Sequence, residues 1–102
     1  MYLIRRVFTC KPRTARRAAE IITKIGKAYE NVGQRSPIRV YTSGGTVPGP
    51  ADTVYMDWMA QVIDSPLRDG NNIPEEIRPL AQEMNEFVEE SHIEFYEMFD
   101  PR

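Results

Sequence analysis

Hydrophobic positions recur along the chain with two different periods. Small and apolar residues recur every three or four positions over 13–32, which is the spacing of one face of an α-helix, and Gly33 follows as a C-terminal cap. A second helical pattern covers residues 73–88. Pro79 lies inside that pattern, so we expect a kink there or a helix that begins near Arg78. The sequence therefore predicts two amphipathic helices.

Four other segments are rich in β-branched and aromatic residues and end at turn residues. Each predicts a β-strand, and together they cover residues 2–9, 37–43, 53–63 and 92–99. The Gly- and Pro-rich residues 44–52 join the second and third strands in a predicted hairpin. The order β-α-β-β-α-β is that of the ferredoxin-like fold, in which two helices cover one face of a four-stranded antiparallel sheet. We expect a single α+β domain over residues 1–102.

Alternation with a period of two assigns the strand residues to two faces of this sheet. The face predicted to lie beneath the helices contains Ile38, Val40, Val54, Met56, Trp58, Ala60, Val62, Ile93, Phe95 and Phe99. The other face contains Arg39, Tyr41, Tyr55, Asp57, Met59, Glu94, Tyr96 and Met98, with His92 at its edge. If the hairpin pairs Arg39 with Asp57, then Tyr41 faces Tyr55, which predicts an ion pair beside an aromatic pair.

The second face has an unusual composition for a surface that meets only water. Such a surface carries more Lys, Glu, Ser and Thr and fewer large rings. Aromatic side chains with a few pairable charges are typical of an interface. We therefore predict a homodimer in which two sheets face each other through Arg39, Tyr41, Tyr55, Asp57 and Tyr96. The alternative is a monomer whose sheet exposes these side chains.

The pattern resembles the dimeric α+β barrels, which include the antibiotic biosynthesis monooxygenase, stress-responsive barrel and NIPSNAP-type groups. The resemblance covers nearly the whole chain. It rests on the element order, the strand core Val54-x-Met56-x-Trp58 and the aromatic last strand Ile93-Glu94-Phe95-Tyr96. It implies a ferredoxin-like fold that pairs sheet to sheet. It implies no single activity, because this scaffold hosts oxygenases, isomerases, lyases and haem-handling proteins.

Charge is distributed unevenly, although the net charge is only −2. Residues 1–40 carry ten basic and two acidic side chains, whereas residues 41–102 carry three basic and thirteen acidic ones. Two neighbouring helices of opposite charge explain this distribution, so we expect no nucleic-acid partner. No run approaches the roughly 20 apolar residues of a membrane span. We expect no membrane partner and, without a signal-peptide pattern, a cytoplasmic location.

Histidine and cysteine, which often carry chemistry, occur once each. His92 and Cys10 exclude an intrachain disulfide and most Cys/His metal sites, and we expect no metal or cofactor. Glu89 and His92 have the spacing of a helical metal pair but fall at a predicted helix–strand junction. We expect Cys10 to be a small buried residue. In an enzyme of the cofactor-free monooxygenase or isomerase type, His92, Tyr41 or Tyr96 would handle protons.

Large side chains on the apolar face also predict a ligand-binding site. A guanidinium, from Arg5 or Arg6, would hold a carboxylate at the mouth of a pocket between helices and sheet. We expect a small hydrophobic or amphipathic ligand bound by Arg6, Trp58 and Phe95. The alternatives to this binding protein are the enzyme above and a structural or interaction module.

Overall fold

The computed structural model describes residues 1–33, 37–63 and 73–99. Within these ranges the elements are β1 (Tyr2–Cys10), α1 (Ala15–Asn31), β2 (Arg39–Ser43), β3 (Thr53–Ala60), α2 (Ile77–Met84) and β4 (Val88–Glu97). The strands form one antiparallel sheet in the order β2-β3-β1-β4. The predicted ferredoxin-like α+β architecture is confirmed. In the same ranges, neither helix is long and apolar enough to cross a membrane.

Helix α1 lies close against the sheet. Its buried face includes Ala18, Ile21, Ile22, Ile25 and Ala28. A Cβ atom added at Gly26 would lie 2.9 Å from the sulfur of Met56 and 3.0 Å from the Ile38 side chain, so glycine permits this close approach. The core beneath the helix contains Phe8, Cys10, Ala18, Ile22, Ile38, Val54 and Met56. The predicted amphipathic first helix is confirmed, and Gly33 follows it with a φ of 74°.

The boundary between α2 and β4 differs from the prediction. The helix ends at Met84 and the strand already begins at Val88, so the helix predicted to residue 88 and the strand predicted from residue 92 were wrong there. The Phe87 carbonyl accepts a hydrogen bond from the Lys11 N–H at 2.8 Å, and Val88 pairs with Cys10. Pairing with β1 therefore replaces the last predicted turn of the helix.

The helices leave part of β4 uncovered. Ile77 of the eight-residue α2 packs in a cluster with Ile21, Ile25 and Ala28 of α1. Ile93 and Phe95 of β4 are 46% and 47% exposed. The prediction that they lie beneath the helices was wrong, because α2 packs mainly against α1. Pro79 is the third residue of α2, a position in the first turn where its missing N–H is tolerated.

The hairpin of β2 and β3 has the predicted register. Arg39 pairs with Asp57 and Tyr41 pairs with Tyr55. The connection folds back tightly at Gly44, which has a φ of 79°. A Cβ atom there would lie 2.4 Å from the Pro50 carbonyl oxygen, so only glycine fits. The register confirms that period-two alternation was interpreted correctly in these strands.

Candidate functional site

The two faces of the sheet carry different chemistry. Phe8 and Cys10 of β1 pack in the core with α1, so even-numbered β1 residues point toward the helices and odd-numbered ones point away. We call the first the helix face and the second the open face. Register places Arg6, Trp58 and Phe95 on the helix face. It places the predicted interface residues on the open face with Arg5 and Glu94: Arg39, Tyr41, Tyr55, Asp57 and Tyr96.

Arg6 brings a guanidinium to the apolar helix face. It lies in register between Met56 of β3 and Ile93 of β4, and its Cζ lies 5.3 Å from the centre of the Phe8 ring. Its Nε is buried and has no hydrogen-bond partner among the residues that the structure describes. Burial lowers the pKa of Arg6, while Tyr29 acts in the opposite direction with a smaller effect. An anion beside the Arg6 guanidinium would therefore offset part of the cost of its burial.

Trp58 and Phe95 lie two residues along the sheet from Arg6. Both pair with Ile4 of β1, from opposite sides. Neighbouring strands are about 4.8 Å apart, so the backbones of Trp58 and Phe95 are separated by about 10 Å. Ile4 is 6% exposed and Phe95 is 47% exposed, and Trp58 is partly buried against the core. The three predicted ligand-binding residues thus occupy adjacent rows of one face.

On the open face, Asp57 is a buried carboxylate with three hydrogen-bond donors. Its Oδ1 accepts a hydrogen bond from Arg39 Nε at 2.8 Å, and its Oδ2 accepts from Arg39 Nη2 at 3.1 Å and from the Tyr41 hydroxyl at 2.6 Å. The hydrogen bonds to Asp57 raise the pKa of Arg39. Burial, followed by the hydrogen bond to Asp57, raises the pKa of Tyr41. Tyr41 is therefore a hydrogen-bond donor at neutral pH.

Aromatic rings connect this group to the rest of the open face. The rings of Tyr41 and Tyr55 stack at 5.2 Å with an interplanar angle of 14°, and the Tyr55 hydroxyl lies 2.9 Å from Ser43 Oγ. Arg5 Cζ lies 5.1 Å from the centre of the Tyr55 ring and 5.8 Å from that of Tyr96. These distances permit cation–π attraction. Arg5 therefore links the hairpin rings to β4.

Glu94 accepts hydrogen bonds from three side chains at the β4 side of this face. Its Oε1 accepts from the Tyr96 hydroxyl at 2.7 Å and from Arg5 Nε at 2.7 Å, and its Oε2 lies 3.0 Å from His92 Nε2. The bonds from Tyr96, His92 and Arg5 hold the pKa of Glu94 at about 2. The bond to Glu94 raises the pKa of Tyr96. Tyr96 is thus a donor at neutral pH, which disfavours the alternative in which Tyr41 or Tyr96 accepts a proton.

Apart from the contact of His92 with Glu94, the single histidine and the single cysteine do not match the sites that their residue types often form. Glu89 and His92 both lie in β4, where residues three apart point to opposite faces, so they do not form a metal pair. Over the described ranges, no three His, Cys, Asp or Glu side chains are grouped to hold a metal ion. Cys10 is 3% exposed, as predicted. Burial raises the pKa of its thiol, which disfavours the reactive thiolate.

A groove of about 370 Å³ lies between α1 and β2. Its lining residues are Arg16, Ala19, Glu20, Thr23, Val40, Tyr41 and Thr42. None of the three predicted ligand-binding residues lines this groove. It is therefore a separate feature from the surroundings of Arg6.

Two central residues of the open face were missing from the predicted interface. Arg5 and Glu94 form a salt bridge at 2.6 Å. Alternation had placed Glu94 on this face, but Arg5 was considered only as a ligand-binding alternative to Arg6. Their contact depends on pairing of the first strand with the last, and sequence spacing carries no signal for it. A search for opposite charges under each possible β1–β4 register would have found it.

Two solved structures are similar to this chain over nearly its whole length. An uncharacterized NIPSNAP domain protein from Burkholderia xenovorans has a TM-score of 0.70 and 13% identity, over 100% of this chain and 98% of that chain. An antibiotic biosynthesis monooxygenase has a TM-score of 0.67 and 9% identity, over 98% of this chain and 100% of that chain. No protein-family model matches the chain, and no curated protein matches it. At these identities the likeness establishes the fold, so the chain has the ferredoxin-like α+β fold of both structures.

Proposed function

We propose that this protein is a homodimer and that each protomer binds a small amphipathic carboxylate between its helices and its sheet. The observation that carries the proposal is the buried Nε of Arg6, which lacks a hydrogen-bond partner within the described part of the chain. A buried donor left unpaired costs about 1–3 kcal/mol. A carboxylate that enters beside the guanidinium and accepts a hydrogen bond from Nε would remove this cost and would supply a charged partner.

The surroundings of Arg6 favour an amphipathic ligand over an inorganic anion. Phe8 lies under the guanidinium, and Trp58 and Phe95 lie in the next row of the helix face. Small-molecule sites are mostly apolar and contain a few polar groups that fix the orientation of the ligand. An inorganic anion would leave the apolar side chains without a contact.

The open face supports the proposed pairing of two copies. Its tyrosines remain accessible, with Tyr41 36% and Tyr96 44% exposed. Its charges are already paired within one protomer, since Asp57 binds Arg39 and Glu94 binds Arg5. Burial against a second sheet would therefore leave none of these four charges unpaired, which avoids the main penalty for burying ions. Tyrosine and arginine are also enriched in interfaces.

Solution mass tests the dimer. We expect the wild type to scatter light as a dimer. Tyr55→Lys and Tyr96→Lys should scatter as folded monomers, because each adds an excess positive charge to an interface whose charges are otherwise balanced. Lys24→Glu is the matched control, since Lys24 is exposed on α1, away from the open face. Circular dichroism of each variant checks folding. A monomeric wild type, or Lys variants that stay dimeric, would contradict the pairing.

A pair of neighbouring arginines tests the ligand site. Thermal unfolding is measured with 3-phenylpropionate and with decanoate, each beside the corresponding alcohol. We expect at least one acid, and neither alcohol, to raise the Tm of the wild type; a ligand at 100 times its Kd stabilises by about 2.7 kcal/mol. Arg6→Gln removes the shift, while Arg5→Gln retains it because Arg5 is on the open face. The site is wrong if no acid raises the Tm, or if Arg6→Gln responds like the wild type.

A further inference from the structure

We infer that the outer edge of β2 binds an extended acidic segment of a partner protein, which adds to the sheet as a further strand beside α1. The inference goes beyond the proposed function, because the groove at this edge contains none of Arg6, Trp58 and Phe95. Three observations carry it: an unprotected strand edge, a groove that follows this edge, and an arginine in the groove that has no ion pair within the described part of the chain.

The sheet has two edge strands, and one of them is protected against pairing. β4 carries four glutamates, and its register with β1 shifts at Cys10; edge charges and irregular register both oppose the addition of a strand. β2 pairs with β3 without a shift over all five of its residues, and its one charged side chain, Arg39, is bound to Asp57. Over residues 1–33, 37–63 and 73–99, β3 is the one strand that pairs with β2. The outer backbone groups of β2 can therefore bond an added strand.

A groove beside this edge supplies the side-chain contacts that so short a strand needs in addition. Three consecutive residues of β2 line it, Val40, Tyr41 and Thr42. Consecutive strand side chains alternate between faces, so a groove that reaches all three lies along the edge and not on one face. On its other wall, the α1 residues from Arg16 to Thr23 cover about 10 Å, the length of about three extended residues. The groove therefore fits an extended backbone.

The charges beside the groove favour an acidic segment. Arg16 takes part in none of the ion pairs among the described residues. Glu20, the other charged lining residue, lies 3.4 Å from the guanidinium of Arg17 and is already paired. A carboxylate opposite Arg16 would gain a charge-assisted hydrogen bond. The whole of α1 carries four basic and two acidic side chains, which also attracts an acidic partner.

The same charges disfavour a second copy of this chain as the occupant. Two β2 strands paired across a twofold axis would bring two α1 helices side by side, each with an excess of two positive charges. Like charges placed together oppose association. Pairing of β2 with the acidic β4 of another copy would not close on itself and would continue into larger assemblies. Either event would show as a solution mass above that of the dimer.

Synthetic peptides of about six residues, the usual length of a strand, test the inference on the isotope-labelled protein by amide NMR. One alternates valine with glutamate and one alternates valine with lysine. A third is the glutamate peptide with N-methyl groups on its two central residues, which block both of its backbone edges. We expect the glutamate peptide to shift the amide signals of β2 and of the groove side of α1. The lysine peptide should bind at least about fivefold more weakly, and the methylated peptide at least about tenfold more weakly.

A charge reversal in the groove identifies the group that selects the peptide. Arg16→Glu should bind the lysine peptide more tightly than the glutamate peptide. Lys24→Glu is the matched control, because it makes the same change on α1 outside the groove, and it should keep the wild-type preference. The amide spectra of both variants without peptide check folding.

Four results would overturn the inference. They are unchanged β2 amide signals with the glutamate peptide, equal binding of the methylated peptide, an unchanged preference in Arg16→Glu, and a wild-type mass above that of the dimer that falls in Arg16→Glu. The last result would assign the edge to another copy. None of these measurements involves Arg6, so their failure leaves the proposed ligand site standing, and loss of that site leaves the strand edge standing.

Discussion

The two faces of the sheet carry neighbouring arginines that differ in pairing: Arg5 is paired with a carboxylate, and Arg6 has a buried nitrogen that is unpaired in the ranges that the structure describes. Arg5, on the open face, donates to Glu94 and lies over the rings of Tyr55 and Tyr96, and its pKa is raised chiefly by the bond to Glu94. Arg6, on the helix face, has a buried Nε without a partner among the described residues, and burial lowers its pKa. The contrast teaches that burial without pairing, and not positive charge alone, identifies the candidate binding group.

The largest expected difference between the faces is in the free energy of unfolding that is lost when a packed side chain is truncated. Phe8→Ala removes a 2%-exposed ring beneath α1, and we expect a loss of about 3–5 kcal/mol in the free energy of unfolding. Val7→Ala, one residue away on the open face, removes two buried carbons at about 0.8 kcal/mol each. Urea unfolding of both variants measures the difference. Equal losses would contradict the assignment of the core to the helix face.

The next effect concerns the buried carboxylate of the open face. Asp57→Asn removes the charge that Arg39 and Tyr41 bind. We expect a loss of about 1.5–3 kcal/mol in unfolding free energy, as for hydrogen bonds to a charged group. Arg39→Gln should cost much less, because the Arg39 side chain is 69% exposed and ion pairs at the surface contribute little. Urea midpoints give both values. An Arg39→Gln loss as large as that of Asp57→Asn would show that the pair is effectively buried.

A smaller effect, of the opposite sign, is expected at Arg6. Arg6→Met replaces a partly desolvated guanidinium by an apolar side chain, so the unfolding free energy should stay unchanged or rise by up to about 1 kcal/mol. Any Tm shift that 3-phenylpropionate or decanoate gives the wild type should disappear at the same time. Such a trade between stability and binding is typical of functional sites. A clear loss of stability in the absence of ligand would mean that Arg6 has a structural role.

Much of the fold could be predicted because local patterns and long-range packing agree in α1 and in the hairpin. Residues 13–32 have one apolar stripe. Alternation placed Tyr41 and Tyr55 on one face, and the hairpin register assumed from Arg39 opposite Asp57 paired them correctly. The end of α2 could not be predicted. Phe87 and Val88 fit both a helical stripe and a strand, and contacts with Lys11 and Cys10 of the first strand region decide between them.

The candidate site was predictable in part for the same reason. Alternation assigned Trp58 and Phe95 to one face and the tyrosines to the other, and register agrees. The sequence left Arg5 and Arg6 as alternatives for holding a carboxylate. What separates them is the pairing of β1 with β4, which supplies Glu94 to Arg5, and this long-range contact has no local signature.

The last and smallest expected effect is the contribution of the Glu94 carboxylate to stability, which is measured through its loss at low pH. The pKa of this carboxyl is lowered from 4.5 to about 2 by hydrogen bonds from Tyr96, His92 and Arg5. Between these values the unfolded chain binds the proton and the folded chain does not, so the stabilisation is present above about pH 4.5 and is lost as the pH falls toward 2. We expect the urea midpoint of the wild type to fall more steeply from pH 6 to pH 3 than that of Glu94→Gln. Glu97→Gln, an exposed position on the same strand, is the control, and its urea midpoint should change with pH as that of the wild type does. If the urea midpoints of the wild type and of Glu94→Gln changed with pH in parallel, the ionised carboxylate would not anchor Arg5 on the open face.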